Sequence, residues 1–244
     1  MSPADTTTAV PTLRQRRRAV ATQEILGAAE RHIVENGPHA LSLRAVARDL
    51  GMTVQALYHY FPSRYDLVTA LIAQAYEDLA DAVQSAVDGA QEDPSVPRLV
   101  HAAEGYRRWA VAHPERFQLI YGSPLRDYAA PPGGPTTVAV QRMSGIFQRE
   151  LFAGCSPEQL AAADVPAPSP ELGAHLGQLS PNGLGALPPA GVHLLLSAWG
   201  HMHGLVVLEV FGHTTFLGGH QAEVFRVSMC QLVADVHRRI PAAR

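Results

Sequence analysis

The chain has 244 residues, of which 47% are hydrophobic and 17% charged. At the usual ~100–200 residues per domain this length gives one large domain or two small ones, and a charge content below the roughly 25% of an average soluble chain argues for a globular protein over a disordered one. The net charge of −3 averages two unlike parts: residues 1–66 carry eight arginines against six acids, residues 67–244 carry eleven against sixteen, and all nineteen basic residues are arginine, so a slightly basic end suited to phosphates is joined to a larger acidic body.

Residues 1–13 are rich in Ser, Thr, Pro and Ala without apolar periodicity, and with Arg14, Arg16, Arg17 and Arg18 they are expected to form a disordered basic arm over residues 1–18. The spacing then predicts a helix from about Val20 to Asn36, with Ile25, Ala29 and Ile33 inward and Leu26 and Val34 widening the stripe. Asn36-Gly37-Pro38 stops it. A shorter helix capped by Ser42 turns Leu43, Val46, Ala47 and Leu50 inward and ends at Gly51. Thr53 is a good N-cap for a third helix, Val54 to Tyr60. Two short helices joined by a Gly-containing turn have the form of a helix-turn-helix. Pro62 breaks the third helix, and Ser63 opens a long fourth one whose stripe is Val68, Leu71, Ile72, Ala75, Leu79 and Val83.

Thr22, Ile25, Ala28-Ala29, Gly37, Leu41-Ser42-Leu43, Val46-Ala47, Leu50-Gly51, Thr53, Leu57-Tyr58, Tyr60-Phe61, Ser63-Arg64 and Leu67 together resemble the DNA-binding domain of the TetR family. The likeness covers about residues 19–79. A generic helix-turn-helix would not require the Leu-Tyr-x-Tyr-Phe ending followed by Ser-Arg. Three positions depart from the pattern: Ile33 replaces a common aromatic, Met52 a Val and Arg64 a Lys.

A recognition helix lays its first residues along base edges in the major groove. Thr53, Val54, Gln55, Ala56 and His59 fall on the outer face of the third helix, opposite Leu57 and Phe61. Gln55 both donates and accepts, which suits adenine, unless it is a solvated surface side chain. Val54 and Ala56 offer only methyl contacts to thymine. The hydroxyls of Tyr58 and Tyr60 suit phosphates, Tyr60 being open to a packing role as well. The resemblance places Arg44 and Arg64 against the DNA backbone, and Ser42, Thr53 and Ser63 add hydroxyls at helix N-termini. The Arg14–Arg18 run either reaches phosphates or the minor groove, or remains a solvated tail. One such domain is small for tight specific binding, so a homodimer on a palindromic double-stranded operator is expected.

Beyond Gln91-Glu92-Asp93-Pro94 a fifth helix is predicted from Val96 to His113, with Leu99, Ala103, Tyr106 and Ala110 on one face and Trp109 on the next. A sixth runs from His113-Pro114 to Tyr121 and stops at Gly122-Ser123-Pro124. A Pro- and Gly-rich loop over 129–135 precedes a seventh, Thr136 to Ala153, with Val140, Met143, Phe147 and Leu151 on one side. Residues 154–190 contain seven prolines and five glycines, and short helices are expected inside them near Pro157–Ala163 and Glu171–Leu179. A helix from Pro189 to Phe211 is apolar nearly all round and so buried on more than one face; its three histidines, Glu209, Gly200 and Gly204 argue against a membrane span. The last, Gln221 to Ile240, shows one stripe of Phe225, Met229, Leu232 and Val236 and another of Val224, Val227 and Ala234.

These last two helices resemble the TetR-family pair that forms an intersubunit bundle, in which Gly200 and Gly204 permit close approach and Phe225, Met229, Leu232 and Val236 line the dimer interface. Trp199-Gly200-His201, with His203-Gly204 after it, is similar to the subgroup described by a Trp-His-Gly motif. The resemblance also implies a pocket for a small-molecule effector, with Trp109, Phe117, Tyr121, Met143, Phe147, Trp199 and His203 as candidate walls; each is otherwise an ordinary core residue. Such a pocket suits a lipophilic or aromatic ligand. His201 and His203 lie two apart on a helix and face away from each other, so no metal site is expected, and no cofactor. No nucleophile elbow, phosphate loop or dinucleotide fingerprint is present, so no enzyme is expected; Gly183-x-Gly185 lacks the flanking elements of one. Cys155 and Cys230 form no redox spacing, and no apolar run follows the arginines, so a cytoplasmic location without a signal peptide is expected.

The expectation is an all-α chain. It comprises a three-helix helix-turn-helix domain over residues 19–79 and a helical ligand-binding and dimerisation domain over 80–244. Together they make a repressor released by its ligand. The alternative is a ligand-independent regulator whose larger domain serves only dimerisation or protein contacts.

Overall fold

The computed structural model describes residues 12–92, 95–122, 128–176, 178 and 187–242, and all regular structure among them is helical. The first helix, α1 (Leu13–Asn36), begins before its apolar periodicity does. Thr12 Oγ1 accepts from the Gln15 amide at 3.2 Å while Gln15 Oε1 accepts from the Thr12 amide at 2.7 Å, a reciprocal cap that starts the helix two turns early. Arg14 to Arg18 are therefore helical, which corrects the disordered arm expected over residues 1–18; residues 1–11 of that arm lie outside the described residues.

Gly37, at φ 79°, ends α1. After a 3-10 turn over Pro38–Ala40 come α2 (Leu43–Asp49) and α3 (Val54–Tyr58), two residues shorter than expected. Ile25, Ala29, Ile33, Val46, Ala47 and Leu57 are buried between these three helices. The next helix, α4 (Arg64–Asp88), runs through the division of the chain into two compact units, which falls between Leu71 and Ile72 instead of at residue 79. Tyr128 belongs to the first unit, where its hydroxyl lies 2.8 Å from Thr69 Oγ1 and its ring stacks on Tyr65 at 6.1 Å.

The second unit contains the rest of α4 and α5 (Arg98–Ala112), α6 (Pro114–Tyr121), α7 (Pro135–Leu151), α8 (Pro157–Ala161), α9 (Pro170–Leu176), α10 (Pro189–Val210) and α11 (Gln221–Arg239). The two short helices expected in the Pro-rich stretch are α8 and α9; Leu179, the Gly183 and Gly185 pair, and the Ser123-Pro124 stop lie outside the described residues. Within this unit α5 touches α6, α7, α10 and α11. It also meets α4 closely at Gly105, where an added Cβ would stand 2.7 Å from Ala86 Cβ and 3.1 Å from the Ala82 carbonyl oxygen. At Gly200 and Gly204, where close approach is expected between subunits, no neighbouring element of the same chain lies within 4 Å of an added Cβ.

By length and composition α10 is the one helix among the described residues that could cross a bilayer. One of its faces, including Val192, Leu194, Leu195, Ala198, Met202 and Val206, is instead buried against neighbouring helices.

Gly105→Ala is expected to lower stability by up to about 2 kcal/mol, because an overpacking penalty of about 1–3 kcal/mol outweighs the ~1 kcal/mol gained from helix propensity. Gly145→Ala on α7, where an added Cβ meets nothing within 4 Å, should raise it by up to about 1 kcal/mol. Urea unfolding of the two variants measures the difference.

Candidate functional site

The reading head is built by two backbone devices. Gly51 sits at φ 63°, and the Met52 amide donates to the Ala47 carbonyl at 2.8 Å, so the chain turns sharply between α2 and α3. Thr53 then caps α3, its Oγ1 accepting from the Ala56 amide at 3.1 Å. Leu57 is fully buried and fixes the roll of the helix. With that roll Thr53, Gln55, Tyr58 and His59 are exposed and Val54, Ala56 and Tyr60 are half-buried. The side chains expected to meet DNA thus share the outer face of one short, capped helix.

The surrounding residues divide. Arg44 is exposed at the start of α2. Ser42 stands at the N-cap of α2 without a side-chain cap hydrogen bond. Ser63 is engaged in capping α4, its Oγ accepting from the Asp66 amide at 3.1 Å and donating to Asp66 Oδ2 at 2.7 Å. Arg64 turns inward: one terminal nitrogen donates to the His39 carbonyl at 2.8 Å and its Nε is buried without a partner. Part of its donor capacity is therefore used inside the domain, and Arg44 is the more accessible of the two arginines.

Sequence reasoning missed the role of Arg18. Its terminal nitrogen donates to the His59 carbonyl at 3.1 Å, where α3 ends, and its guanidinium lies 5.3 Å from the centre of the Tyr60 ring. Arg18 is seven residues before the buried Ile25, so both fall on one side of α1. Arg14, one turn earlier, continues that row and is exposed. The signal was present in the i, i+4, i+11 spacing of Arg14, Arg18 and Ile25, and became readable only once the helix start was known.

In the second unit the expected pocket walls also divide. Phe117, Tyr121, Phe147, Trp199 and His203 all gather around the fully buried Tyr106, with ring centres 5.4 to 6.3 Å from it. Trp109 is buried elsewhere, against His113 at 5.5 Å, and Met143 is buried on α7. A small cavity of about 20 Å³ is lined by side chains that include Leu99, Phe147, Trp199, Met202, Met229 and Leu232. Tyr106 Oη lies 2.7 Å from His203 Nδ1. Tyr121 Oη lies beside the hydroxyls of Tyr76 and Tyr106, close enough to hydrogen-bond with them and to affect their ionisation. Burial pushes Tyr76 up to about 12, drives Tyr106 and Tyr121 higher still, and lowers the His203 imidazole, which stays neutral.

On α11 it is the expected interface stripe that faces inward: Phe225, Met229 and Val236 are buried within the chain and Leu232 is half-buried. The other stripe, with Val224 and Val227, is exposed. On α10 Leu196, Gly200, Leu208 and Phe211 are exposed, Gly204 is half-buried, and His201 is exposed while His203 turns inward to Tyr106.

Residues 25–71 match the family described as bacterial regulatory proteins, tetR family, and residues 99–232, more than half of the chain, match the tetracyclin repressor-like C-terminal domain. The chain belongs to the TetR family of bacterial transcriptional regulators. This is a family of regulators, not of enzymes. Among similar proteins are the HTH-type transcriptional regulators of Mycobacterium bovis and Mycobacterium tuberculosis, 40% identical over 147 residues that make up 60% of this chain. The match spans 62% of the length of those relatives. The crystal structure of the regulatory protein SCO4313 is 30% identical, with a TM-score of 0.70 over 91% of this chain and 100% of that one. A Rhodococcus sp. RHA1 protein of unknown function, 21% identical, shares the fold at a TM-score of 0.62 over 96% and 99% of the two chains.

Tyr76, Tyr106 and Tyr121 hold their protons more tightly folded than unfolded, so they favour the folded state below the ordinary phenol value of 10.0, and that contribution is lost as pH rises through about 12 for Tyr76 and higher for the other two. Tyrosinate absorbance of Tyr→Phe variants should show Tyr76, Tyr106 and Tyr121 still protonated above pH 10 and ionising together as the fold is lost. Ionisation of these three before the fold is lost would contradict the burial.

Proposed function

We propose that the chain is a homodimeric repressor that binds a palindromic DNA operator in the cytoplasm and releases it when a small lipophilic or aromatic molecule enters the second unit. The observation that carries the DNA part is the outer face of α3, where Gln55, Thr53, Tyr58 and His59 stand exposed on a helix capped at its first turn. Gln55 reads an adenine edge, and Val54 and Ala56 meet thymine methyls. Tyr58, Tyr60, Arg44 and the exposed arginines of α1 hold phosphates, which set the register without reading sequence.

Two copies are needed because one such head makes too few contacts. The apolar side chains left uncovered on α10 and α11, Leu196, Leu208, Phe211, Val224 and Val227, support a self-complementary contact between two chains. Gly200 and Gly204, with open space where a Cβ would be, suit close helix approach across it. The run Trp199-Gly200-His201-Met202-His203-Gly204 supports the Trp-His-Gly subgroup. Regulation runs through α4, whose peptide chain is continuous from the DNA-binding unit into the ligand-binding one. A shift of α4 changes the separation of the two recognition helices, which must stay about one DNA turn, roughly 34–36 Å, apart.

One observation favours a second reading, in which the larger unit only dimerises. The cavity beside Phe147, Trp199 and Met202 holds only about 20 Å³. An effector would have to make its own room, so a screen of compounds for operator release decides between the two readings.

Selection from random DNA should return an inverted repeat, and binding should weaken steeply with salt. Arg14→Ala and Arg17→Ala should each flatten that salt slope by about one if the arginine meets a phosphate, while Gln55→Ala should relax base preference by about 1–3 kcal/mol at one position per half-site. Equal losses on every sequence for Gln55→Ala would remove it as a reader. Val227→Glu, at a position 52% exposed in the single chain, should leave the fold intact and convert the dimer to monomer in sedimentation. A dimer that survives the change places the interface elsewhere.

A further inference from the structure

The recognition helix α3 is only five residues long, and its two ends are held by different means. Its start is fixed twice, by the Thr53 cap and by the Met52 amide that donates to the Ala47 carbonyl. Leu57 and Phe61 are buried and set which face looks outward. Between those two anchors His59 is exposed and Tyr60 half-buried. A helix would normally serve the His59 carbonyl with an amide three or four residues on. The third residue on is Pro62, which has no N–H, and the fourth, Ser63, lies outside any helix.

A side chain 41 residues earlier in the chain takes that place. Arg18 donates to the His59 carbonyl at 3.1 Å and lays its guanidinium 5.3 Å from the centre of the Tyr60 ring, so one cation holds two consecutive residues at the end of α3. The backbone that carries Arg18 is itself held. The reciprocal cap of Thr12 and Gln15 starts α1 six residues ahead of it, and Thr22 Oγ1 donates to the Arg18 carbonyl at 2.9 Å. Without that cap Arg18 would stand in a fraying first turn.

We propose that Arg18 is a positioning residue for base reading, clamping the end of α3 so that Gln55 meets its base edge in register. The proposal rests on the reading of α3 as the element that enters the major groove, and names the residue that sets its aim. Hydrogen bonds to base edges depend on the placement of donor and acceptor, whereas a phosphate contact acts largely through charge and carries no sequence information. Loosening one end of a short helix therefore acts on sequence preference first. This sets Arg18 apart from Arg14 and Arg17, whose removal acts through charge on any DNA.

The full chain and its Arg18→Gln variant, which keeps a good helix former at an exposed position, are titrated with the selected operator and with an unrelated duplex of equal length. Arg18→Gln should weaken the operator complex about fivefold per half-site, the size of one net hydrogen bond, and change the unrelated complex by less than about twofold. The salt slope should stay the same, where a phosphate arginine would lower it by about one and weaken both complexes alike. Arg18→Lys, which keeps the charge and a donor, should recover most of the preference. In a Gln55→Ala background Arg18→Gln should cost less than in the wild type, because the reader it aims is gone. Without DNA, amide exchange at Tyr60 and Phe61 should quicken about fivefold in Arg18→Gln at an unchanged thermal midpoint. An unchanged preference, a salt slope lower by one, additive costs with Gln55→Ala, a midpoint that falls together with the preference, or unchanged exchange each overturns the clamp. Failure of the groove reading looks different, because the wild-type protein itself would then prefer neither duplex.

Discussion

The ring of Tyr106 is the contact on which the larger unit turns. Fully buried on α5, it meets Phe117 and Tyr121 from α6, Phe147 from α7, and Trp199 and His203 from α10. Edge-to-face pairs of this kind add about 0.5–1.5 kcal/mol each beyond burial, and here several share one ring. Gly105, the residue before it, lets α5 approach α4 at Ala86. Two adjacent residues thus bind α5 to four other helices, one through the absence of a side chain and the other through a large one.

Arginine is used differently in the two units. In the second, Arg98, Arg107, Arg142 and Arg226 reach carboxylates on other helices: Glu150, Glu209, Glu77 with Asp81, and Glu104. These pairs knit α5 to α7, α10 and α11, and α7 to α4. In the first, Arg18 ties the start of α1 to the end of α3, while Arg14, Arg16 and Arg17 are exposed along the same helix. A small net positive charge is sufficient for contact with DNA when the cations that carry it are held on a helix beside the reading head.

Most of the helices were legible because apolar residues recur at helical spacing and Gly or Pro stands at the stops, as at Asn36-Gly37-Pro38. The outer face of α3 was legible for the same reason, since Leu57 and Phe61 define its inner side. What escaped depends on partners distant in the chain. Two stripes on α11 have equal claims from periodicity, and only the packing against α5 and α10 turns Phe225 and Met229 inward and Val224 and Val227 out. The close approach of α5 to α4 at Gly105 was not legible either, because Ala86 stands nineteen residues before it. The cap at Thr12 was hidden because polar, Pro-rich sequence precedes it, and five of the seven expected pocket walls turned out to be neighbours of a residue, Tyr106, that read as ordinary helix core.

The small cavity also has a volumetric consequence. Pressure acts on internal voids, and the one of about 20 Å³ beside Phe147 and Trp199 is small. Any state in which the walls move apart to admit a guest has a larger molar volume than the closed one. Hydrostatic pressure therefore favours the closed, empty form, and the compressibility of this core becomes a direct record of whether it has opened.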